Sequence, residues 1–61
     1  MTKFYDYEGM PAYWKGRNFP RVITSKGDHV VWDLFSFIVH AMPVSEQEFK
    51  KMKGLVVVSS K

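Results

Sequence analysis

Apolar and polar positions along this chain change period several times, and each change predicts an element. Residues 4–7, Phe-Tyr-Asp-Tyr, alternate weakly as an edge strand does, and Glu8-Gly9-Met10-Pro11 then turns the chain. Residues 21–24 and 29–32 are two strand-like runs that flank Ser25-Lys26-Gly27-Asp28. Gly27 can take positive φ there, so the pair predicts a β-hairpin. Residues 55–58, Leu-Val-Val-Val, form a continuous apolar run of the kind a strand buried on both faces shows, and Ser59, Ser60 and Lys61 end it.

The helical signals concentrate after Pro43. Ser45 is a good N-cap residue and Glu48, three positions later, completes a capping box, while Val44 can staple onto Phe49. Glu46 and Glu48 sit at the positive end of the helix dipole, and Lys50, Lys51 and Lys53 at the negative end. Gly54 supplies a left-handed stop, so the pattern predicts a helix over 45–53. Two turns are unstable alone. Phe49 and Met52 must therefore dock on a core, with Leu55 folding back beside them.

Residues 32–42 fit two periods. As a strand they place Val31, Asp33, Phe35, Phe37 and Val39 on one face and Trp32, Leu34, Ser36, Ile38 and His40 on the other. As a helix they start at Asp33 as N-cap and put Leu34, Phe35, Ile38, Ala41 and Met42 on one stripe. The β-branched and aromatic content favours the strand, which Pro43 ends. The elements together predict one small α+β domain over residues 1–61: a β-hairpin within a three- to four-stranded sheet, packed against one short helix.

Sixty-one residues bury only about 60% of the surface that the unfolded chain exposes, so stability is marginal. There is no cysteine to form a disulfide, and His29 and His40 are the only imidazoles, without the spacing or companions of a metal site. The core must suffice, helped by a partner or a homodimer, and ten aromatic residues give it material. The longest apolar stretch, 30–42, is broken by Asp33, Ser36 and His40 and cannot span a bilayer. The absence of cysteine and of a signal peptide predicts a cytoplasmic protein. The chain opens with Met and is expected to be a complete small reading frame, of a kind common among phage and mobile-element accessory proteins.

Catalysis has no motif to stand on. His29, His40, Ser36 and Asp33 are residue types that almost any chain contains, and no nucleophile-elbow sequence fixes their geometry. The four glycines are isolated at turn positions, where backbone geometry explains them, and none forms a phosphate-binding loop. We therefore expect no enzyme activity, no cofactor and no metal.

Charge order is more informative than the net charge of +3. Residues 9–27 carry Lys15, Arg17, Arg21 and Lys26 and no acid, residues 28–48 carry four acids and no lysine or arginine, and residues 49–61 carry four lysines. Within the first block Tyr13, Trp14 and Phe19 interleave with the cations, which suits a nucleic-acid surface: cations neutralise phosphates and aromatic faces stack on bases. The expected contact residues are Tyr13, Trp14, Lys15, Arg17, Arg21 and Lys26. Two other uses compete for them. Trp14 and Phe19 can be core residues with the cations as a solvated rim, or Trp, Tyr and Arg can form the hot spot of a protein-binding surface.

Phe19-Pro20, Gly27, Val30 and Trp32 resemble the wing of the small winged-helix excisionases and related phage regulators, in which Phe-Pro precedes a hairpin that ends in Val-x-Trp and leads into a helix. The resemblance covers about residues 16–38 and implies DNA binding, with a helix over 33–42. The eighteen residues before Phe19 do not supply that family's helix-turn-helix. The expected function is that of a small non-catalytic regulatory binding protein contacting nucleic acid. The alternative is an inhibitor or adaptor that uses the same aromatic patch against an acidic protein partner.

Overall fold

A computed structural model describes the backbone of residues 1–59 and the side chains of residues 1–56. Its first four strands form an antiparallel meander, since each is joined to the next by a short turn: β1 (Thr2–Tyr7), β2 (Met10–Lys15), β3 (Arg21–Thr24) and β4 (Gly27–Val30). Glu8 and Gly9 both have positive φ, +52° and +88°, the geometry a two-residue hairpin loop needs to match strand twist. The Asp6 carboxylate accepts the Gly9 N–H at 2.8 Å and holds that turn. The β3–β4 hairpin turns on Ser25-Lys26, with Gly27 at φ +119° opening β4.

After β4 the chain forms helix α1 (Leu34–His40), then strand β5 (Ala41–Val44), which pairs antiparallel with β1. The sheet order is therefore β4-β3-β2-β1-β5. β1 is interior and not an edge. Pro43 lies within β5, which is tolerated because β5 is an outer strand and need not donate a hydrogen bond on its free side.

The helical alternative is realised over Leu34–His40, where the preferred strand is corrected, but Ala41 and Met42 open β5. The buried ring is Phe37, and not the expected stripe of Leu34, Phe35, Ile38, Ala41 and Met42. The Asp33 carboxylate accepts the Ser36 N–H at 3.0 Å as N-cap, and the Ser36 hydroxyl lies 3.0 Å from the Tyr7 hydroxyl. Phe37 is 1% exposed, packed against Tyr5, Tyr7 and Trp14. Burial of this one large ring at helical spacing, together with the cap, outweighs the strand propensity of its neighbours.

Helix α2 (Glu46–Ser59) begins where expected, with the Ser45 hydroxyl accepting the Glu48 N–H at 3.1 Å. It does not stop at Gly54, and the strand predicted over 55–58 is helix instead. Gly54 has no positive φ and takes its place in the helix. Phe49, Met52 and Val56 recur at helical spacing as the buried and half-buried positions, so the apolar stripe continues past the glycine. Each further residue then adds a backbone hydrogen bond to a helix already nucleated, which offsets the roughly 1 kcal/mol cost of glycine. Leu55 points to solvent and does not fold back.

The architecture is α+β, with a five-stranded antiparallel sheet and two short helices. Register assigns the faces. Tyr5 lies opposite Ala12 and Ala12 opposite Val22; these residues and Trp14 pack around Phe37 of α1. Phe4 lies opposite Tyr13 on the other face, and both rings meet Phe49 of α2, at 4.6 and 6.1 Å. Each helix covers one face, and each contributes one buried phenylalanine.

Candidate functional site

Beyond the end of α2's footprint, the face that carries Tyr13 opens into a cleft of about 440 Å³. Its floor follows from the hairpin register. Tyr13 lies opposite Arg21 and Arg21 opposite Val30, so the three side chains form a row across β2, β3 and β4. Asp28, two residues before Val30 on the same face, completes the floor, and Lys15, Asn18, Phe19 and Trp32 supply the walls.

The floor is a hydrogen-bonded trio. The Tyr13 hydroxyl donates to Asp28 Oδ2 at 2.6 Å, and Arg21 Nε donates to Oδ1 at 2.6 Å. Partial burial pushes the Asp28 carboxyl up, but the hydrogen bonds from Tyr13 and Arg21 and the charge of Arg21 outweigh it, so its pKa is lowered. The hydrogen bond to Asp28 raises the Tyr13 phenol and likewise raises Arg21. Arg21 is therefore oriented by Asp28 through Nε, with the Tyr13 hydroxyl beside its guanidinium.

The wall has a different character. The Trp32 ring lies 5.0 Å from that of Phe19 at 58°, and Trp32 is 73% exposed. A main-chain bond from the Val31 N–H to the Pro20 carbonyl, 2.8 Å, continues the hairpin past β3 and β4 and brings residues 19 and 32 opposite each other. An indole left this open in so small a domain presents a face for stacking.

The structure places the six expected contact residues at four locations. Tyr13, Lys15 and Arg21 share the cleft. Arg17 lies exposed in the turn after Lys15, where the Asn18 N–H bonds the Lys15 carbonyl at 3.0 Å. Lys26 sits at the far tip of the β3–β4 hairpin, beyond the Thr24–Gly27 pair that is itself three register steps, roughly 10 Å, from Arg21. Trp14 belongs to the opposite face: it is half-buried against Phe37, and its indole N–H donates to the Asn18 carbonyl at 2.6 Å. Trp32, absent from the expected set, takes the position facing solvent. Hairpin arithmetic could have found it, because a turn on Ser25-Lys26 pairs 19 with 32.

His29 is exposed on β4, and His40 lies 4.0 Å from Glu8. Among the described residues no three His, Cys, Asp or Glu side chains gather as a metal would require, and no helix is long and apolar enough to cross a membrane. The hairpin and the helix after it are shared with the winged-helix resemblance, but residues 2–15 form strands β1 and β2 and their turn where that family has its helix-turn-helix. No family model matches the chain, and neither a curated protein nor a solved structure shows significant similarity to it.

Proposed function

We propose that this chain is a small non-catalytic regulatory protein of the cytoplasm that binds single-stranded nucleic acid in the cleft. The observation that carries this reading is the tilted Phe19–Trp32 ring pair, open to solvent, in the same cleft as Lys15 and Arg21. An unpaired base stacks on the Trp32 indole, and adjacent phosphates meet Lys15, Arg17 and the guanidinium of Arg21. The aromatic pair is set in a concavity, whereas a duplex reader needs a helix or ribbon that projects into a groove. Asp28 orients Arg21 and offsets part of its charge, which favours binding of one or two nucleotides over a long polyanionic track.

The test is fluorescence anisotropy of a labelled single strand of about ten nucleotides, with the duplex of the same sequence as control. Binding to the single strand is expected at about 50 mM salt, weakening steeply by about 300 mM. Lys15→Gln and Arg17→Gln should each flatten the salt slope by about 0.7. Absence of binding at low salt would remove this reading in favour of an inhibitor or adaptor that meets an acidic protein through the same aromatic residues.

A further inference from the structure

Among the cations and rings of the cleft stands one carboxylate. Asp28 lines the floor with two-fifths of its side chain exposed, and its negative charge repels a phosphodiester. Whatever it contacts in a nucleotide is therefore the base. Its position suits that role: Asp28 and Trp32 lie two residues to either side of Val30, roughly 13 Å apart along an extended chain. Tyr13 and Arg21 belong to the row of Val30 and both donate to Asp28, so the carboxylate leans back over that row, on the side towards Trp32. A ring held on the Trp32 wall thus presents an edge to a floor that holds Asp28.

The carboxylate restricts which edge it takes. Tyr13 bonds Oδ2 and Arg21 bonds Oδ1, one bond each, and a carboxylate oxygen accepts two, so one acceptor site remains on each oxygen. Neither oxygen can donate while Asp28 is ionised, and the hydrogen bonds and charge of its partners keep it so. The matching edge has two adjacent donors. Guanine alone among the common bases has one, in its N1–H and 2-amino groups; adenine and cytosine set one donor beside an acceptor, and thymine and uracil set theirs between two acceptors. Those acceptors would face the carboxylate with like partial charge.

We propose that Asp28 makes the cleft selective for guanine, its two oxygens accepting N1–H and the 2-amino group of a base whose ring lies against Trp32. The inference rests on the cleft's binding an unpaired base and adds which base it takes. Tyr13 and Arg21 act as positioning residues. By holding one site on each oxygen they fix the plane of the carboxylate before the base arrives, so little side-chain freedom is lost on binding.

Competition anisotropy at about 50 mM salt tests it, with thymine pentanucleotides that carry guanine, adenine or thymine at the centre. The guanine strand should bind about tenfold more tightly than the adenine strand, which controls for the stronger stacking of a purine. Asp28→Asn replaces a part-exposed side chain and should keep its circular dichroism spectrum. It should bring the guanine strand to within about twofold of the adenine strand, while binding the adenine strand at least as tightly as the wild type does, since a negative charge has been removed. Equal affinity of the wild type for guanine and adenine strands, or a guanine preference that survives Asp28→Asn, overturns the inference and leaves the cleft as a general base-stacking site. Failure of all three strands to bind overturns the cleft reading and this inference with it.

Discussion

The indole of Trp14 meets the ring of Phe37 edge-on, at 5.6 Å and 88°, and this contact ties β2 to α1 across the face that holds Ala12 and Val22. Trp14 also fastens the turn after β2 through its bond to the Asn18 carbonyl. One side chain thus serves the core and the wall of the cleft, because Asn18 is one of the cleft's lining residues.

Trp14 and Trp32 should consequently behave in opposite ways. Trp14→Ala should cost about 3 kcal/mol, enough to unfold much of so small a domain, whereas Trp32→Ala should cost less than about 1 kcal/mol. In single-tryptophan variants, acrylamide should quench Trp32 fully and Trp14 weakly. Equal quenching of the two indoles would contradict the packing described.

Gly54 offers a test of the continuous α2. Because the glycine is helical and nothing lies within 4 Å of an added Cβ, Gly54→Ala should stabilise the protein by about 0.5–1 kcal/mol. Were Gly54 a left-handed stop, alanine would strain it and the denaturation midpoint would fall. Ser45→Ala, at the other end, should lower the midpoint by about 1 kcal/mol through loss of the cap to Glu48.

The Tyr13–Asp28–Arg21 trio sets a pH dependence. The folded-state pKa of Asp28 lies below its ordinary value of 3.8, so the unfolded chain binds the proton more readily. Its stabilisation is complete above about pH 5 and is lost as pH falls through the folded value. Tyr13, raised above 10, acts in the opposite direction and loses its share as pH rises beyond that value. Both effects are small, since Asp28 and Arg21 are two-fifths exposed. Denaturant midpoints of wild type and Asp28→Asn should differ at pH 7 and converge towards pH 3. Parallel curves would show that the trio does not hold Asp28 ionised.

The sequence made the capped start of α2, the β3–β4 hairpin and the α+β class legible, because each rests on local chemistry: Ser45 with Glu48, a turn with Gly27, and apolar alternation. The predicted hairpin register differs from that observed by two positions, which preserves the side-chain faces while moving Val30, instead of Trp32, opposite Arg21. Residues 34–40 and 55–58 were decided by tertiary terms, the Phe37 pocket and the Phe49–Met52–Val56 stripe, which override β propensity. For the cleft, Lys15, Arg17 and Arg21 were readable as a cationic group, but strand alternation between Tyr13 and Trp14 sends adjacent aromatics to opposite faces. Composition alone does not distinguish them.

The most direct measurement of the central claim uses Trp14→Phe, in which Trp32 is the sole indole, titrated with an unlabelled single-stranded homopyrimidine of about ten nucleotides at about 50 mM salt. If bases stack in the cleft, Trp32 emission is quenched to saturation and recovers as salt approaches about 300 mM, while the Trp32→Phe variant, reporting Trp14, does not change on titration. Trp32 emission that stays constant across the titration would contradict the account.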